Sequence, residues 1–155
     1  MTVPAGAAGA PAVVGIGIDA VDIERFRAVL ARRPSLLERL FTDDERAIAA
    51  GRDMSPRLAA RFAAKEAVLK ALGVGLGAAA FRDVEVVRAD GGVPRLALSG
   101  RAAALAETRG VRRWHVSLTH TDVVAVASVV AEGVWSAVGI TTAEGTPTAG
   151  VAGAP

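Results

Sequence analysis

The stretch RFAAKEAVLKALG, Arg61 to Gly73, constrains the chain more than any other. At about 3.6 residues per turn, Leu58, Phe62, Leu69 and Leu72 make one apolar face. Ala60, Ala64, Ala67 and Ala71 make a second face, small enough to let another backbone come close. Ser55 is placed to cap the helix, Pro56 suits its first position, and Gly73 is a natural stop. A helix apolar on most sides is normally buried, yet this one carries Arg61, Lys65, Glu66 and Lys70. Buried charge needs partners. The chain's only two lysines are both here, flanking one Glu. One reading is an intrahelical Glu66–Lys70 pair, contributing about 0.3–0.5 kcal/mol. The other is a carboxylate and three cations aimed at a ligand with phosphates and a metal.

Composition narrows the classes. A chain of 155 residues fits one domain. With no cysteine there is no disulfide framework, thiolate metal site or thiol nucleophile. The formal net charge of +2 is only mildly basic, the arginines are scattered and tyrosine is absent. Without an aromatic stacking platform, a nucleic-acid partner is not expected. No Lys or Arg precedes Arg25 and Asp19 interrupts the first apolar run, so no signal peptide is read. No apolar stretch reaches the roughly 18 residues of a membrane span. A cytoplasmic protein without membrane contact is expected.

Residues 1–12 are Ala, Gly and Pro-rich without periodicity and read as a disordered lead. A strand follows over 13–19, where Val14, Ile16 and Ile18 alternate with glycines. GIGID lacks the third glycine of a dinucleotide fingerprint, and GVGLG at 73–77 follows a helix rather than a strand, so that fold is rejected. Asp22 caps a helix with Ile23, Phe26 and Leu30 on one face and Arg25 and Arg32 on the other, a surface suited to an acidic partner. Thr42 and Glu45 form a capping box, which makes Glu45 structural. GVGLGAAAF is a glycine-rich loop able to turn backbone N–H groups toward a phosphate. Val84, Val86 and Val87 mark a strand, PRLALS another, and Ser99 caps an Ala-rich helix stopped by Gly110. RRWHVSLTH and DVVAVASVVAE form a hairpin turning at Thr121-Asp122. Residues 133–155 read as a flexible tail, leaving 13–132 as the domain. Hairpins without regular βαβ alternation define an α+β fold: a largely antiparallel sheet wrapped around the long central helix.

Asp19 at a strand end and Glu66 on the helix are two carboxylates of the kind that hold Mg²⁺ together with substrate phosphates. The run GIGIDAVDIERF, FTDDERA, RFAAKEAVLKALG, GVPRLALSGRA and HVSLTH resembles the holo-acyl-carrier-protein synthases, the small trimeric class of 4′-phosphopantetheinyl transferase, from Gly15 to Glu132. The resemblance implies transfer of 4′-phosphopantetheine from coenzyme A to a serine of an apo acyl carrier protein, with Mg²⁺ as cofactor and 3′,5′-ADP released. It implies Asp19 and Glu66 as metal ligands, and Asp19, Glu66 and Lys70 as the catalytic set. Arg61, Lys65, Lys70 and His120 then face coenzyme A, while Arg25, Arg32 and Phe62 receive the acidic carrier protein. It also implies a homotrimer with sites shared between chains; the valine-rich hairpin from Trp114 to Val130 offers apolar strand surface for it. His115 reads as an ordinary strand residue.

Two rivals predict different outcomes. A module that only binds coenzyme A would release no 3′,5′-ADP in the presence of Mg²⁺ and carrier protein. A pure interaction domain would tolerate Glu66→Gln.

Overall fold

The computed structural model describes residues 11–51 and 53–134. In chain order the elements are β1 (Ala12–Asp22), α1 (Ile23–Arg32), α2 (Leu36–Leu40), α3 (Asp43–Ala49), α4 (Ser55–Ala71), β2 (Val84–Arg88), β3 (Pro94–Leu98), α5 (Gly100–Thr108), β4 (Val111–His120) and β5 (Val124–Gly133). Short 3₁₀ turns at Phe81–Asp83 and Asp90–Gly92 flank β2. The fold is α+β and every strand pairing is antiparallel. The strands divide into two sheets rather than one, β1-β5-β4 and a separate β2-β3 hairpin. The first strand begins at Ala12 and the last ends at Gly133, each one residue outside the expected 13–132. Of the expected lead and tail, residues 1–10 and 135–155 lie outside the described residues.

Helix α4 lies on the inner face of the larger sheet. Ala63, Ala64, Ala67 and Val68 are fully buried there with Ala127 and Val129 of β5. Leu58, Ala59 and Ala60, toward the start of α4, join Ile23, Phe26 and Leu30 of α1 and Phe41 in a second cluster. Trp114, Val116 and Leu118 of β4 pack inward against the first cluster. The hairpin's outward apolar surface is therefore smaller than its composition implies. It is β1 that bares apolar side chains, Ile16 and Ile18 being 68% and 61% exposed.

The glycines of β1 have a steric origin. A Cβ at Gly15 would overlap the carbonyl oxygen of Ala71, and one at Gly17 that of Ala67. The small face of α4 thus does admit another backbone, that of β1.

Local caps mostly follow the sequence. Asp22 accepts a hydrogen bond from the Arg25 amide at 2.7 Å, and Thr42 and Glu45 form the reciprocal box. Ser55 is displaced by one position. It is the first helical residue, and the Asp53 carboxylate accepts its amide hydrogen at 2.9 Å. Ser99 likewise precedes α5 without a side-chain cap bond; Asp83 Oδ2 accepts from the Arg101 amide instead. At the far end of α4, Gly73 has φ +64°, with its amide donating to Lys70 O and the Val74 amide to Leu69 O. That pair of bonds is a Schellman stop.

Gly17 does not sit at positive φ, so alanine there is penalised only by the α4 backbone. Gly17→Ala is expected to lower unfolding free energy by about 2 kcal/mol or more, as overpacking does. Urea titration of the two proteins measures it, and an unchanged midpoint would contradict the close approach.

Candidate active site

Asp19 is the next inward-facing position on β1 after Gly17, so the backbone contact that excludes a side chain at Gly17 delivers a carboxylate to the flank of α4. Lys70 meets it: its Nζ donates to Asp19 Oδ1 at 2.8 Å and to the Ile18 carbonyl at 3.0 Å. The Lys70 side chain is 52% exposed and that of Asp19 18%. The expected Glu66–Lys70 ion pair is not formed, because Lys70 reaches across to β1. Glu66 has no salt-bridge partner among the described residues. Burial first, and the neighbouring Asp19 charge second, raise its pKa above the ordinary value, with Lys70 partly opposing.

Asp19 and Glu66 open into a groove of about 690 Å³. Its walls are largely apolar, with Phe26, Val29 and Leu30 from α1, Phe62 from α4, Leu36 and Leu40 from α2, and Leu76 and Phe81 beyond α4. Arg25 lines it; Arg32 stands exposed further along α1. The α2 side chains, Leu76 and Phe81 were not singled out from sequence, since nothing local ties them to Glu66.

The other expected cations lie elsewhere. Residues 57, 61 and 65 form one row along α4, and 62, 66 and 70 another about 100° around it. Arg61 and His120 line a separate pocket of about 220 Å³ with Arg57 and Arg88, and no acidic residue contributes to it. Arg61 is 5% exposed; its Nη1 donates to Arg57 O at 3.1 Å, and its Nε has no partner. Burial chiefly, with Arg88 and Arg57 adding repulsion, draws its pKa down while Glu45 opposes. Arg57, one turn before Arg61, and Arg88 were missed as companions, although the i,i+4 spacing of the first carries the signal.

Lys65 departs most from expectation. Its side chain is completely inaccessible, as is that of Glu45, and the two form an ion pair at 2.8 Å. Lys65 Nζ also donates to Phe81 O at 2.9 Å and to Val84 O. Burial lowers its pKa from the ordinary ammonium value, with Glu45 pushing back. It faces neither groove nor pocket.

Asp19 and Glu66 are too few to hold a metal alone, and Asp22, the third carboxylate of the groove, is engaged as the α1 cap; among the described residues no cluster of three or more metal-binding side chains occurs. The donor set fits Mg²⁺ completed by a ligand's phosphates and water, since this hard cation accepts one or two protein carboxylates in that arrangement.

This fold has close counterparts. Residues 15–127 match the family model of the 4′-phosphopantetheinyl transferase superfamily. The chain belongs to that superfamily and is an enzyme of its class, a phosphopantetheinyl transferase. Within it, the chain is 54% identical over 121 residues to the holo-[acyl-carrier-protein] synthase of Frankia casuarinae, covering 78% of this chain and 98% of that protein. The synthase of Neisseria meningitidis superposes with a TM-score of 0.70 at 31% identity, covering 77% and 98% of the two chains. That of Bacillus anthracis, solved in complex with CoA (3′,5′-ADP), gives 0.64 at 37% identity over 78% and 97%. No helix among the described residues is long and apolar enough to cross a membrane.

The raised pKa of Glu66 has a signed consequence. A carboxyl held above its unfolded value contributes stability in full below that value and loses it as pH climbs through the folded one. Glu66→Gln should therefore melt higher than wild type at about pH 8 in chelator, with the difference closing toward about pH 4. Added Mg²⁺ should raise the melting temperature of wild type and not of the variant, by linkage to the metal-binding state. Equal melting of the two at every pH would contradict the desolvated carboxylate.

Proposed function

We propose that the chain transfers 4′-phosphopantetheine from coenzyme A to a serine of an apo acyl carrier protein, with Mg²⁺ bound by Asp19 and Glu66 and 3′,5′-ADP released. The observation that carries this reading is the meeting of Asp19 and Glu66 in one groove, with Lys70 bonded to Asp19. Attack of a hydroxyl on a pyrophosphate demands in-line placement and charge neutralisation. Mg²⁺ held by Asp19 and Glu66 would supply Lewis acidity and a template for the pyrophosphate. Lys70 orients Asp19 through the 2.8 Å contact and keeps an exposed ammonium beside the departing nucleotide. Glu66, directly or through a water, takes the serine proton. Phe62 and the arginines of α1, Arg25 and Arg32, receive the acidic carrier protein beside the groove. A cytoplasmic setting suits these substrates.

Arg61, His120, Arg57 and Arg88 suit a phosphate at the second pocket, where the partnerless Arg61 Nε adds an unused donor. Asp19 lies on β1 and His120 on β4, the two outer strands of the sheet, with α4 between them. One chain thus presents the two halves on different flanks, and a homotrimer in which neighbours share sites would join them. The outward face of β1 and β5, with Ile16, Ile18, Val126 and Val130, is the surface to bury.

Mass spectrometry of an apo carrier protein incubated with coenzyme A, Mg²⁺ and this chain tests the reaction. A gain of one phosphopantetheine group is expected, and no gain would refute transfer. Asp19→Ala and Glu66→Ala should each lower turnover by about a hundredfold, the scale of losing a main electrostatic stabiliser. Full activity of either would remove the metal assignment. Arg25→Glu with Arg32→Glu should raise the KM for the carrier protein and leave that for coenzyme A nearly unchanged. Equal loss toward both would reassign the arginines. Ile16→Asp should dissociate the trimer in sedimentation, and mixed Glu66→Ala and His120→Ala chains should regain activity in shared sites. An Ile16→Asp monomer with full activity would overturn sharing.

A further inference from the structure

Building on the transfer reaction proposed above, we infer that Lys65, with Glu45, is a positioning residue of the site: its ammonium grips the Phe81 backbone and so sets the aromatic wall facing Asp19 and Glu66. An ammonium has three N–H donors. Here three acceptors surround it, Glu45 Oε2 at 2.8 Å, Phe81 O at 2.9 Å and Val84 O. None is left for a phosphate, and the side chain is wholly enclosed.

Glu45 is equally committed. Its Oε2 accepts from the Thr42 amide at 3.0 Å and its Oε1 from the Val86 amide at 3.0 Å. The pair therefore ties α3, α4, the Phe81 turn and β2 together at one point. Stability alone does not call for it, since a buried ion pair often breaks even with apolar residues of the same volume. What the pair adds is location: each acceptor is held where the lysine can reach it.

The location matters because of Phe81. The segment leading to it contains Gly75 and Gly77, neither of which has any neighbour within 4 Å of where a Cβ would stand. The segment is packed only at Val74 and Ala79, and the Phe81 carbonyl is held by hydrogen bonding. Lys65 holds the Phe81 carbonyl from inside, while Arg82 holds the turn from outside through Glu38 O at 3.1 Å. The Phe81 ring lies 5.3 Å from that of Phe62, which lies 5.7 Å from that of Phe26. All three line the groove with the two carboxylates. Phe26 meets Phe41 edge-on at 6.3 Å, and Lys65 Nζ stands 5.6 Å over the Phe41 ring. The same ammonium thus stands over the Phe41 ring at one end of the four-ring series and bonds the Phe81 backbone at the other.

The test compares Lys65→Met, the double variant Glu45→Gln/Lys65→Met, Phe81→Ala and the triple combination, each assayed below its melting transition. Lys65→Met alone strands a buried carboxylate and should be strongly destabilised. The double variant should recover part of the lost melting temperature, since the glutamine keeps one of the two acceptor oxygens, yet keep a turnover about tenfold to a hundredfold below wild type, the scale of a small misplacement. Its affinity for 3′,5′-ADP, measured by calorimetry, should stay within about twofold of wild type, because no phosphate contact is lost. Phe81→Ala, which leaves the ion pair intact, should reproduce the turnover loss, and the triple variant should add little to it, as coupled positions do. Full turnover in the stable double variant would make Lys65 merely structural. A large loss of 3′,5′-ADP affinity would make it a phosphate ligand. Should the pair variants not fold, Phe81→Ala decides, and wild-type turnover there overturns the proposal. Absence of transfer by the wild-type chain would instead refute the functional reading, and the positioning role with it.

Discussion

The contact of helix α4 with strand β1, backbone against backbone, is the constraint on which the rest depends. Gly15 and Gly17 leave room for the carbonyls of Ala71 and Ala67, and any Cβ on that side would drive the two elements apart. Strand side chains alternate faces, so the next inward position after Gly17 is Asp19. At that point α4 presents Glu66 and Lys70. A Cβ-free strand followed by a carboxylate thus turns a packing contact into a site without a loop of its own. Stability and chemistry share the same few residues, which explains why the Lys70 ammonium can bond both the strand's carbonyl and its carboxylate.

The two lysines of the chain show how differently adjacent rows of one helix behave. Lys70, in the row of Glu66, is half exposed and meets its partner at the groove's edge. Lys65, one row away, is sealed against Glu45 and two backbone carbonyls. Sequence neighbours 65 and 66 therefore serve separate ends, one beneath the groove wall and one at the groove. Their difference in surroundings follows from what α4 is packed on, the β2 hairpin and α3 for one row, β1 for the other.

That distinction marks the limit of what could be read beforehand. Local signals carried through: Asp22 as a cap, Thr42 with Glu45 as a reciprocal box, Gly73 as a helix stop and the turn at Thr121 are short-range hydrogen-bond patterns fixed by neighbouring residues. The α+β class followed from hairpin spacing in the same way. Long-range facts did not carry through. The division into two sheets depends on where β3 stops relative to β4, and the burial of Lys65 depends on Glu45 meeting it from α3 across twenty residues. The capping box correctly marked Glu45 as structural, yet gave no sign that its second task is to neutralise a lysine. Trp114 likewise reads as an outward apolar residue until the core claims its side of β4.

Charge distribution also bears on how a complete site is assembled. The groove brings three carboxylates, Asp19, Asp22 and Glu66, against one arginine, Arg25, with Lys70 bonded to Asp19, a combination that a metal and pyrophosphate would balance but that offers little to a further phosphate. The second pocket brings three arginines and a histidine with no acid, a surplus of positive charge that only an anion would balance. Each alone is electrostatically lopsided, and a ligand carrying a pyrophosphate at one end and a separate phosphate at the other would satisfy both together. Within one chain α4 stands between them, and on the shared-site reading proposed above the groove of one molecule is set against the arginine pocket of another. The bare Ile16 and Ile18 of β1 lie on the opposite face of the sheet from both, free to bring neighbours into register without obstructing either half.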